Sequence, residues 1–393
     1  MMRSVVLVVF GGRSTEHDIS VITGVLTVNG LRGAGEDILP VYVTPKGEWY
    51  TADFMNDVAA FQTLSARKMQ RLAFLFGEDI AYYKKGKKLT PFAYVRAAVN
   101  CMHGKNGEDG VLPAILHECH IPITSPAMTE SAILMDKWYA KLVFQSLGIP
   151  VLSGIMIRKE AFYRNVEEGV SALIKKLGLP LCVKPTRLGS SIGISVAEEK
   201  EALTEAIITA FRYDGCVIIE PALKGFSEYS VAVYKKEKEL VIGKPQKQKP
   251  KGAVYSFAEK YLEQGGYLSG ASCSENENAP AEGNLIDATP ISSLQEQMQK
   301  ICKRVYEEMG LCGVVRFDFL ELDERIYLNE INTVPGSMSY YFFESDPKKA
   351  GGFFLDLIRE GVHVYREEES LVKSYPSSVL TSLGGEKGRI GKR

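Results

Sequence analysis

Apolar runs and amphipathic stretches alternate along the first 130 residues of the chain. Ser4 to Phe10 and Ile38 to Val43 are apolar runs with the length of a buried strand. A glycine turn follows the first run, and Ile19 to Leu31 then have the apolar spacing of a helix. Strands that alternate with helices predict a doubly wound α/β domain, which we assign to residues 1–130.

A second domain, of mixed α+β structure, is predicted over residues 131–222. Its first helix is predicted to begin near Ser131, to carry an apolar stripe as far as Phe144 and to stop at Gly148. Pro180 to Val196 has the pattern of a strand, a glycine-serine loop and a second strand.

Residues 223–372 make up a third predicted domain, also α+β. Tyr229 to Tyr234 has a strand pattern, and Leu294 to Met309 has the spacing of a helix that faces a core. Between them, residues 243–282 show almost no periodic apolar signal, and so long a stretch is typical of a functional lid or a disordered insertion, of which we favour the lid. The polar residues 373–393 predict a mobile tail.

A hairpin near the end of the third domain carries the most informative polar residues. With its turn centred on Glu324, antiparallel pairing sets Asp318 opposite Glu330 and Arg316 opposite Asn332. Period-two alternation then places these four side chains on one face of the hairpin. Two carboxylates and an amide oxygen are hard ligands that suit magnesium. The alternative is a solvated polar face with an arginine-aspartate pair.

Two loops have the composition of anion-binding sites. The segment VKPTRLGSSIG, Val183 to Gly193, places Lys184 on a strand before a loop of glycines and serines. The backbone N–H groups and hydroxyls of such a loop can surround phosphate oxygens, although an ordinary hairpin turn would have the same composition. Phe10 to Glu16 is a glycine turn that leads into a helix N-terminus, and it lacks the GxGxxG spacing of dinucleotide-binding loops.

The composition of the chain limits which binding partners and which cellular compartment are expected. The 393 residues are 45% hydrophobic and 24% charged with a formal net charge of -1, so neither a nucleic-acid nor a membrane partner is expected. Every apolar run falls well short of the ~20 residues of a transmembrane helix. The seven cysteines are scattered without metal-binding spacing, which favours a reducing compartment and a cytoplasmic location.

Several motifs together resemble one family, the D-alanine:D-alanine ligases. They occur in the family's order over about residues 3–345 and are FGGRSTEHDIS (Phe10 to Ser20), HGKNGEDG (His103 to Gly110), MDK (Met135 to Lys137), VKPTRLGSSIG, EKY (Glu259 to Tyr261), RFD (Arg316 to Asp318) and NEINTVPG (Asn329 to Gly336). The resemblance implies an ATP-grasp fold, in which two α+β subdomains hold ATP and follow an N-terminal α/β domain.

The resemblance also implies ATP as co-substrate, with two magnesium ions that manganese could replace. Family residues matching Lys137 and Lys184 contact the phosphates, matches to Glu220 and Glu228 hold adenine and ribose, and Ser191 belongs to the phosphate loop. The match to Glu228 is one residue out of the usual spacing. Matches to Asp318, Glu330 and Asn332 are the metal ligands, and the match to Arg316 stabilises the transferring phosphoryl group.

For the amino-acid substrates, the resemblance implies that Glu16 holds the ammonium of the first one. Ser190 and Tyr261 match residues that orient Glu16 and help to deprotonate the second amine. Lys260 and Gly336 match residues near the second substrate, and His103 is a further substrate-binding candidate. Without the family context, Glu16 could be a helix N-terminal charge, Tyr261 a lid-packing residue and His103 a satisfied loop histidine.

The chain departs from the family after Gly336, because Tyr341 occupies the position of a serine that binds the second substrate's carboxylate. A tyrosine hydroxyl could donate the same hydrogen bond, but its bulk would reshape the pocket. The resemblance thus implies a homodimeric ligase that joins two D-alanines for peptidoglycan synthesis. A related ligase with another second substrate, or a catalytically silent nucleotide-binding relative, is the alternative.

Overall fold

The structure is a computed structural model that describes residues 2–62, 68–248, 285–286, 292–377 and 379. Its strands form three sheets that follow one another along the chain. The first contains β1 (Arg3–Gly11), β2 (Ile38–Val43), β3 (Trp49–Thr51), β4 (Gln70–Ala73), β5 (Ile80–Lys85) and β6 (Lys88–Asn100). The second contains β7 (Ile155–Arg158), β8 (Leu181–Pro185), β9 (Ser195–Ala197) and β10 (Cys216–Pro221). The third contains β11 (Ser227–Lys236), β12 (Glu239–Ile242), β13 (Gln246–Gln248), β14 (Leu285–Ile286), β15 (Val315–Leu322) and β16 (Arg325–Asn332).

Helices cover these sheets and connect them. The described α-helices are α1 (His17–Gly33), α2 (Val111–Glu118), α3 (Met128–Met135), α4 (Lys137–Ser146), α5 (Lys159–Phe162), α6 (Val166–Leu177), α7 (Lys200–Ala210), α8 (Ser292–Glu308) and α9 (Ala350–Glu369). Short 3-10 helices span Val58–Phe61, Gly336–Phe342 and Pro347–Lys349. None of the helices in the described ranges has both the length and the apolar character needed to cross a membrane.

The first sheet confirms the doubly wound prediction. β1 lies between β2 and β6 and runs parallel to both, while β3, β4 and β5 continue the sheet antiparallel until it closes. Alternate residues of β1 enter two different cores: Val8 packs in the core of α1 and α9, and Leu7 packs in the core of α2. Helices therefore cover both faces of this strand, as its uninterrupted apolar run requires.

The single helix predicted from Ser131 is wrong, because two helices occupy this stretch. Asp136 leaves the helical conformation at φ −90° and ψ 106°, and its carboxylate accepts hydrogen bonds from the backbone N–H groups of Trp138 and Tyr139. An aspartate at this position caps α4 and so ends α3. Leu134 and Phe144 nevertheless pack in one core, which explains why the apolar stripe looked continuous.

The predicted lid begins as regular structure. Residues 246–248 form β13, which pairs with β11 through Tyr229 and Ser230. Residues 249–282 of the predicted lid, with Lys260 and Tyr261, lie outside the described residues, as does most of the predicted tail. The domain boundaries stay predictions, although each of the three sheets falls within one of the assigned ranges.

Three buried side chains join the first sheet's domain to the loop that follows β16. Thr23 Oγ1 lies 2.8 Å from His103 Nε2 and accepts a hydrogen bond of 3.1 Å from the backbone N–H of Ser337. Glu108 Oε1 accepts a hydrogen bond from the backbone N–H of Val334. The loop is therefore positioned by residues that precede it by more than 200 positions in the chain.

The ring of His103 is part of this junction. Burial lowers the pKa of His103 to about 4; a hydrogen bond with the backbone of Val334 opposes the shift, and the nearby charge of Arg316 adds to it. The ring is therefore neutral at pH 7. Its predicted role in substrate binding stays a prediction, and the structure gives Nε2 a protein partner.

Glycine is required in the middle of α1, where the helix touches β1. A Cβ on Gly24 would lie 2.3 Å from the ring of Phe10, whereas a Cβ on Gly33 of the same helix would have nothing within 4 Å. We expect Gly24→Ala to destabilise the protein by about 1–3 kcal/mol through overpacking. Gly33→Ala should be neutral or stabilise it by up to roughly 1 kcal/mol. Thermal unfolding of both variants tests this, and equal midpoints would contradict the close packing.

The low pKa of His103 predicts that its own contribution to the stability of the fold is acid-sensitive. Since the folded-state pKa lies below the ordinary value of 6.5, the contribution of His103 to stability is present above pH 6.5 and is lost as the pH falls towards 4. The loss amounts to roughly 3 kcal/mol. Thermal midpoints measured from pH 7 to pH 4 should fall less steeply for His103→Gln than for the unaltered protein. Parallel curves would contradict the burial of a neutral imidazole.

Candidate active site

The hairpin of β15 and β16 has the predicted pairing of its four polar residues. Asp318 lies opposite Glu330 and Arg316 lies opposite Asn332, while the apolar side chains of the other face enter the core that α8 covers. The turn, however, consists of Asp323 with Glu324 and is therefore centred half a residue earlier than predicted.

A β-bulge explains why Asp318 still pairs with Glu330 although the turn is centred earlier than predicted. Between Asp318 and Phe319 the partner residue changes from Glu330 to Leu328, so Asn329 is an extra residue on β16. Asn329 and Glu330 consequently both line the cleft beside the hairpin, although they are adjacent in the sequence. Period-two alternation could not identify Asn329 as a cleft residue.

Asp318 is held by hydrogen bonds from three directions. Arg316 donates to both of its oxygens, each at 2.9 Å, and Asn332 Nδ2 donates to Oδ2 at 2.7 Å. Ser230 Oγ on the neighbouring strand β11 donates to Oδ1 at 2.7 Å. The carboxylate is therefore fixed in orientation at the floor of the cleft.

Two lysines reach the cleft from the second domain. Lys137, the first residue of α4, has its Nζ 2.8 Å from the backbone oxygen of Leu188 and 3.0 Å from Glu330 Oε2. Lys184 on β8 has its Nζ 2.7 Å from Glu220 Oε2 and 3.4 Å from Asn329 Oδ1. The two ammonium groups thus lie beside the hairpin carboxylates, where they could also bind phosphate oxygens.

Glu220 is buried below the cleft and is not among the described residues that line it. Its second oxygen lies 2.6 Å from Nζ of Lys141, a residue that the sequence analysis missed. Burial alone would raise the pKa of Glu220, but the charges of Lys184 and Lys141 lower it to about 2. Since its carboxylate is taken by two lysines, the predicted contact with adenine would have to come from its main chain.

The glycine-serine loop is anchored at its base and turns sharply over the cleft. Asp214 accepts hydrogen bonds from Thr186 Oγ1 at 3.0 Å and from the backbone N–H of Arg187 at 2.9 Å. Beyond this anchor, Ser190 and Ser191 have φ values of 51° and 57°. Left-handed backbone at two successive non-glycine residues costs free energy and is typical of functional sites.

Glu16 lies at the junction of this loop and the first domain. Its carboxylate accepts a short hydrogen bond from Ser190 Oγ. A Cβ on Gly104 would lie 2.7 Å from Glu16 Oε2, and one on Gly189 would lie 2.9 Å from it, so the backbone approaches the carboxylate closely on both sides. Burial raises the pKa of the adjacent Glu108 to about 8, and the charge of Glu16 adds to the shift.

One cleft brings most of the predicted residues together. Its lining includes side chains from all three predicted domains, and among the predicted site residues it contains Glu16, Lys137, Lys184, Ser190, Ser191, Glu228, Arg316, Asp318, Glu330 and Asn332. Gly336 and Tyr341 lie in the 3-10 segment and are not among the described residues that line the cleft. Tyr341 packs against the core that contains Val8 and Phe353. The roles of all these residues remain predictions.

The oxygen donors of the hairpin fit a magnesium ion. Within the described ranges, no group of three or more His, Cys, Asp or Glu residues is arranged to hold a metal. Asp318 and Glu330 provide two carboxylates and Asn332 an amide, all on one face of paired strands. Magnesium commonly takes one or two protein carboxylates and completes its shell with water and substrate phosphates, so a larger protein cluster is not required.

Family models match both halves of the chain. Residues 5–126 match a model described as "D-ala D-ala ligase N-terminus", and residues 143–363 match one described as "D-ala D-ala ligase C-terminus". The D-alanine–D-alanine ligase of Treponema pallidum (strain Nichols) is 30% identical over 377 residues, which cover 92% of this chain and 88% of the relative. That of Thermosipho melanesiensis is 27% identical over 367 residues, which cover 92% and 94%.

Solved structures show the same fold. The D-alanine-D-alanine ligase from Coxiella burnetii superposes with a TM-score of 0.74 at 22% identity, covering 98% of this chain and 100% of that one. The VanG D-Ala:D-Ser ligase from Enterococcus faecalis superposes with a TM-score of 0.70 at 24% identity, covering 93% and 100%. This is the ATP-grasp fold. Together with the family models, these likenesses show that the chain belongs to the D-alanine–D-alanine ligase family and is an ATP-dependent ligase.

Proposed function

We propose that this protein joins two D-alanine molecules into D-alanyl-D-alanine at the expense of ATP. The observation that supports this most directly is the convergence of three groups in one cleft. These are the carboxylate of Glu16 with Ser190, the two lysines of the second domain, and the polar face of the hairpin. The first suits an amino-acid ammonium, the second phosphate oxygens, and the third a phosphate-bound magnesium ion.

In the proposed first step, the carboxylate of one D-alanine attacks the γ-phosphorus of ATP. A carbon-oxygen-phosphorus linkage forms, the bond to ADP breaks, and the product is an acyl phosphate. Lys137 and Lys184 would hold the phosphates, and Arg316 would stabilise the negative charge of the transferring group. Asp318, Glu330 and Asn332 would hold magnesium, which supplies charge neutralisation on the phosphates.

In the second step, the amine of the other D-alanine attacks the acyl carbon. The carbon-nitrogen bond forms, phosphate leaves with the electron pair of the carbon-oxygen bond, and the nitrogen loses a proton. Glu16 would orient the first substrate through its ammonium, and Ser190, with Tyr261, would guide the proton away. Lys260 of the lid would neutralise the carboxylate of the second substrate, and closure of the lid would protect the acyl phosphate from water.

This activity would supply a dipeptide for peptidoglycan synthesis in the cytoplasm, and the enzyme would act as a homodimer. The departure at Tyr341 favours a second candidate, a ligase of the same mechanism with a different second substrate. One of the structurally similar proteins is a D-Ala:D-Ser ligase. The presence of lysines, an arginine and metal-ligand residues together in one cleft argues against a catalytically silent nucleotide-binding relative.

Phosphate release from ATP tests the proposal directly. Purified protein with magnesium would be assayed across a panel of D- and L-amino acids and hydroxy acids, with mass spectrometry of the products. D-alanine-dependent release with D-alanyl-D-alanine formed would support the proposal. Release only with another pair of substrates would support the same mechanism with a different substrate. The absence of turnover with every pair would contradict both the substrate and the mechanism.

Removing a metal ligand should abolish turnover. Asp318→Asn and Glu330→Gln each remove one negative charge from the proposed magnesium site and should lower kcat by at least about a hundredfold. Glu321→Gln, on the same strand β15 but outside the cleft lining, is the matched control and should keep its activity. Titration of magnesium in the phosphate-release assay measures both effects. Unchanged turnover in either cleft variant would contradict the metal site.

Tyr341 is expected to influence the choice of second substrate. Tyr341→Ser should change the relative kcat/KM values among second substrates, and Tyr341→Phe separates the loss of the hydroxyl from the loss of bulk. Competition assays with mixed amino acids and mass spectrometry measure the preference. If both variants keep the parent profile, this side chain does not contact the second substrate.

A further inference from the structure

A third lysine lies beneath the proposed phosphate site and has no role in the family resemblance. Lys141 lies one turn after Lys137 on α4, and its side chain is only 5% exposed. Its Nζ is 2.6 Å from one oxygen of Glu220, whose other oxygen is 2.7 Å from Nζ of Lys184. One carboxylate therefore lies between two ammonium groups.

The three side chains differ in their access to the cleft. Lys184 lines it, whereas Lys141 and Glu220 are not among the described residues that do. The side chain of Glu220 is 1% exposed, so little water screens its charge. A direct contact between Lys141 and a nucleotide would require these residues to move. Lys141 Nζ also lies 3.5 Å from the backbone oxygen of Leu152, a cleft residue, but its charged partner is Glu220.

The role of Lys141 can be inferred from the charge balance among Lys141, Glu220 and Lys184. With Glu220 as its only close partner, Lys184 would form a neutral pair and would offer little net attraction to a triphosphate. With Lys141 present, the group of three carries one net positive charge, and that charge faces the cleft at Lys184. The low pKa of Glu220 shows that its carboxylate is ionised at neutral pH and must be balanced.

We propose that Lys141 is a positioning residue that neutralises Glu220 and thereby leaves the charge of Lys184 available to the ATP phosphates. The inference rests on the proposed function, in which Lys184 binds those phosphates. A purely structural role is the competing explanation, because removing one partner of a buried ion pair leaves an uncompensated charge that destabilises the fold.

A charge-balance experiment separates the two explanations. Lys141→Met keeps the length of the side chain and removes its charge, so Glu220 should pair with Lys184 alone. Binding of a non-hydrolysable ATP analogue with magnesium should weaken by about tenfold or more, while binding of adenosine should stay within about twofold. Isothermal titration calorimetry measures both affinities in the full-length protein.

The double variant Lys141→Met/Glu220→Gln tests whether the charge of Glu220 causes the loss of affinity. It removes both the lysine and the carboxylate that the lysine balances, so the net positive charge at Lys184 returns. Its affinity for the ATP analogue should recover to within about threefold of the parent protein. A structural role also allows this recovery, because the double variant no longer has an uncompensated buried charge. Adenosine binding separates the two explanations: a structural role lowers it together with ATP-analogue binding in Lys141→Met, whereas charge balance leaves it within about twofold of the parent protein.

Glu220→Gln alone keeps the test valid if Lys141→Met does not fold. That single variant should bind the ATP analogue at least as tightly as the parent protein. Parent-like affinity in Lys141→Met, failure of the double variant to recover, or a loss of affinity in Glu220→Gln would each overturn the inference. A parent protein that does not bind the ATP analogue would instead contradict the proposed function.

Discussion

The cleft brings together ionised side chains that are partly or fully buried, and most of its architecture can be understood as balancing their charge. Each carboxylate at the floor has a cationic neighbour: Asp318 has Arg316, Glu330 has Lys137, and Glu220 has two lysines. Burying charge costs several kcal/mol per group unless partners are close and well oriented. The positions of the helices and strands that carry these charged side chains are therefore constrained by the need to pair each buried charge.

The charge balance explains several local features that otherwise look unrelated. Asp136 breaks a helix in two, and this places Lys137 at the start of α4, where its side chain reaches the cleft. The bulge at Asn329 turns two successive residues towards the lysines. Backbone irregularities thus occur where the cleft needs side chains that a regular element could not provide together.

The loop after β16 depends on a different constraint, which is the satisfaction of buried polar groups. Its backbone N–H groups at Val334 and Ser337 bond to Glu108 and Thr23 of the first domain. Ser337, Met338 and Ser339 then continue in left-handed backbone with φ values near 50°. A side chain that is distant in the chain thus fixes the path towards Tyr341, the residue that we propose influences the choice of second substrate.

The sequence by itself determined the elements of regular pattern and the identity of the chemical groups. The strands β1 and β2, the helix from Leu294, and the placement of Asp318 and Glu330 on one face of a hairpin follow from local periodicity, which a strand or helix obeys without reference to the rest of the chain. The motifs also identified the family, because several short matches in a fixed order are specific even where each one is not.

Only the tertiary structure decided which of these groups meet and which are buried. Lys141 is a polar position on a helix in the sequence, and its pairing with Glu220 depends on how α4 packs beside β8 and β10. Likewise Thr23 lies within an apolar helix, and its partners come from residues 80 and 314 positions away in the chain. Such contacts follow from packing between elements, which sequence spacing does not encode, whereas periodicity within one element is encoded locally.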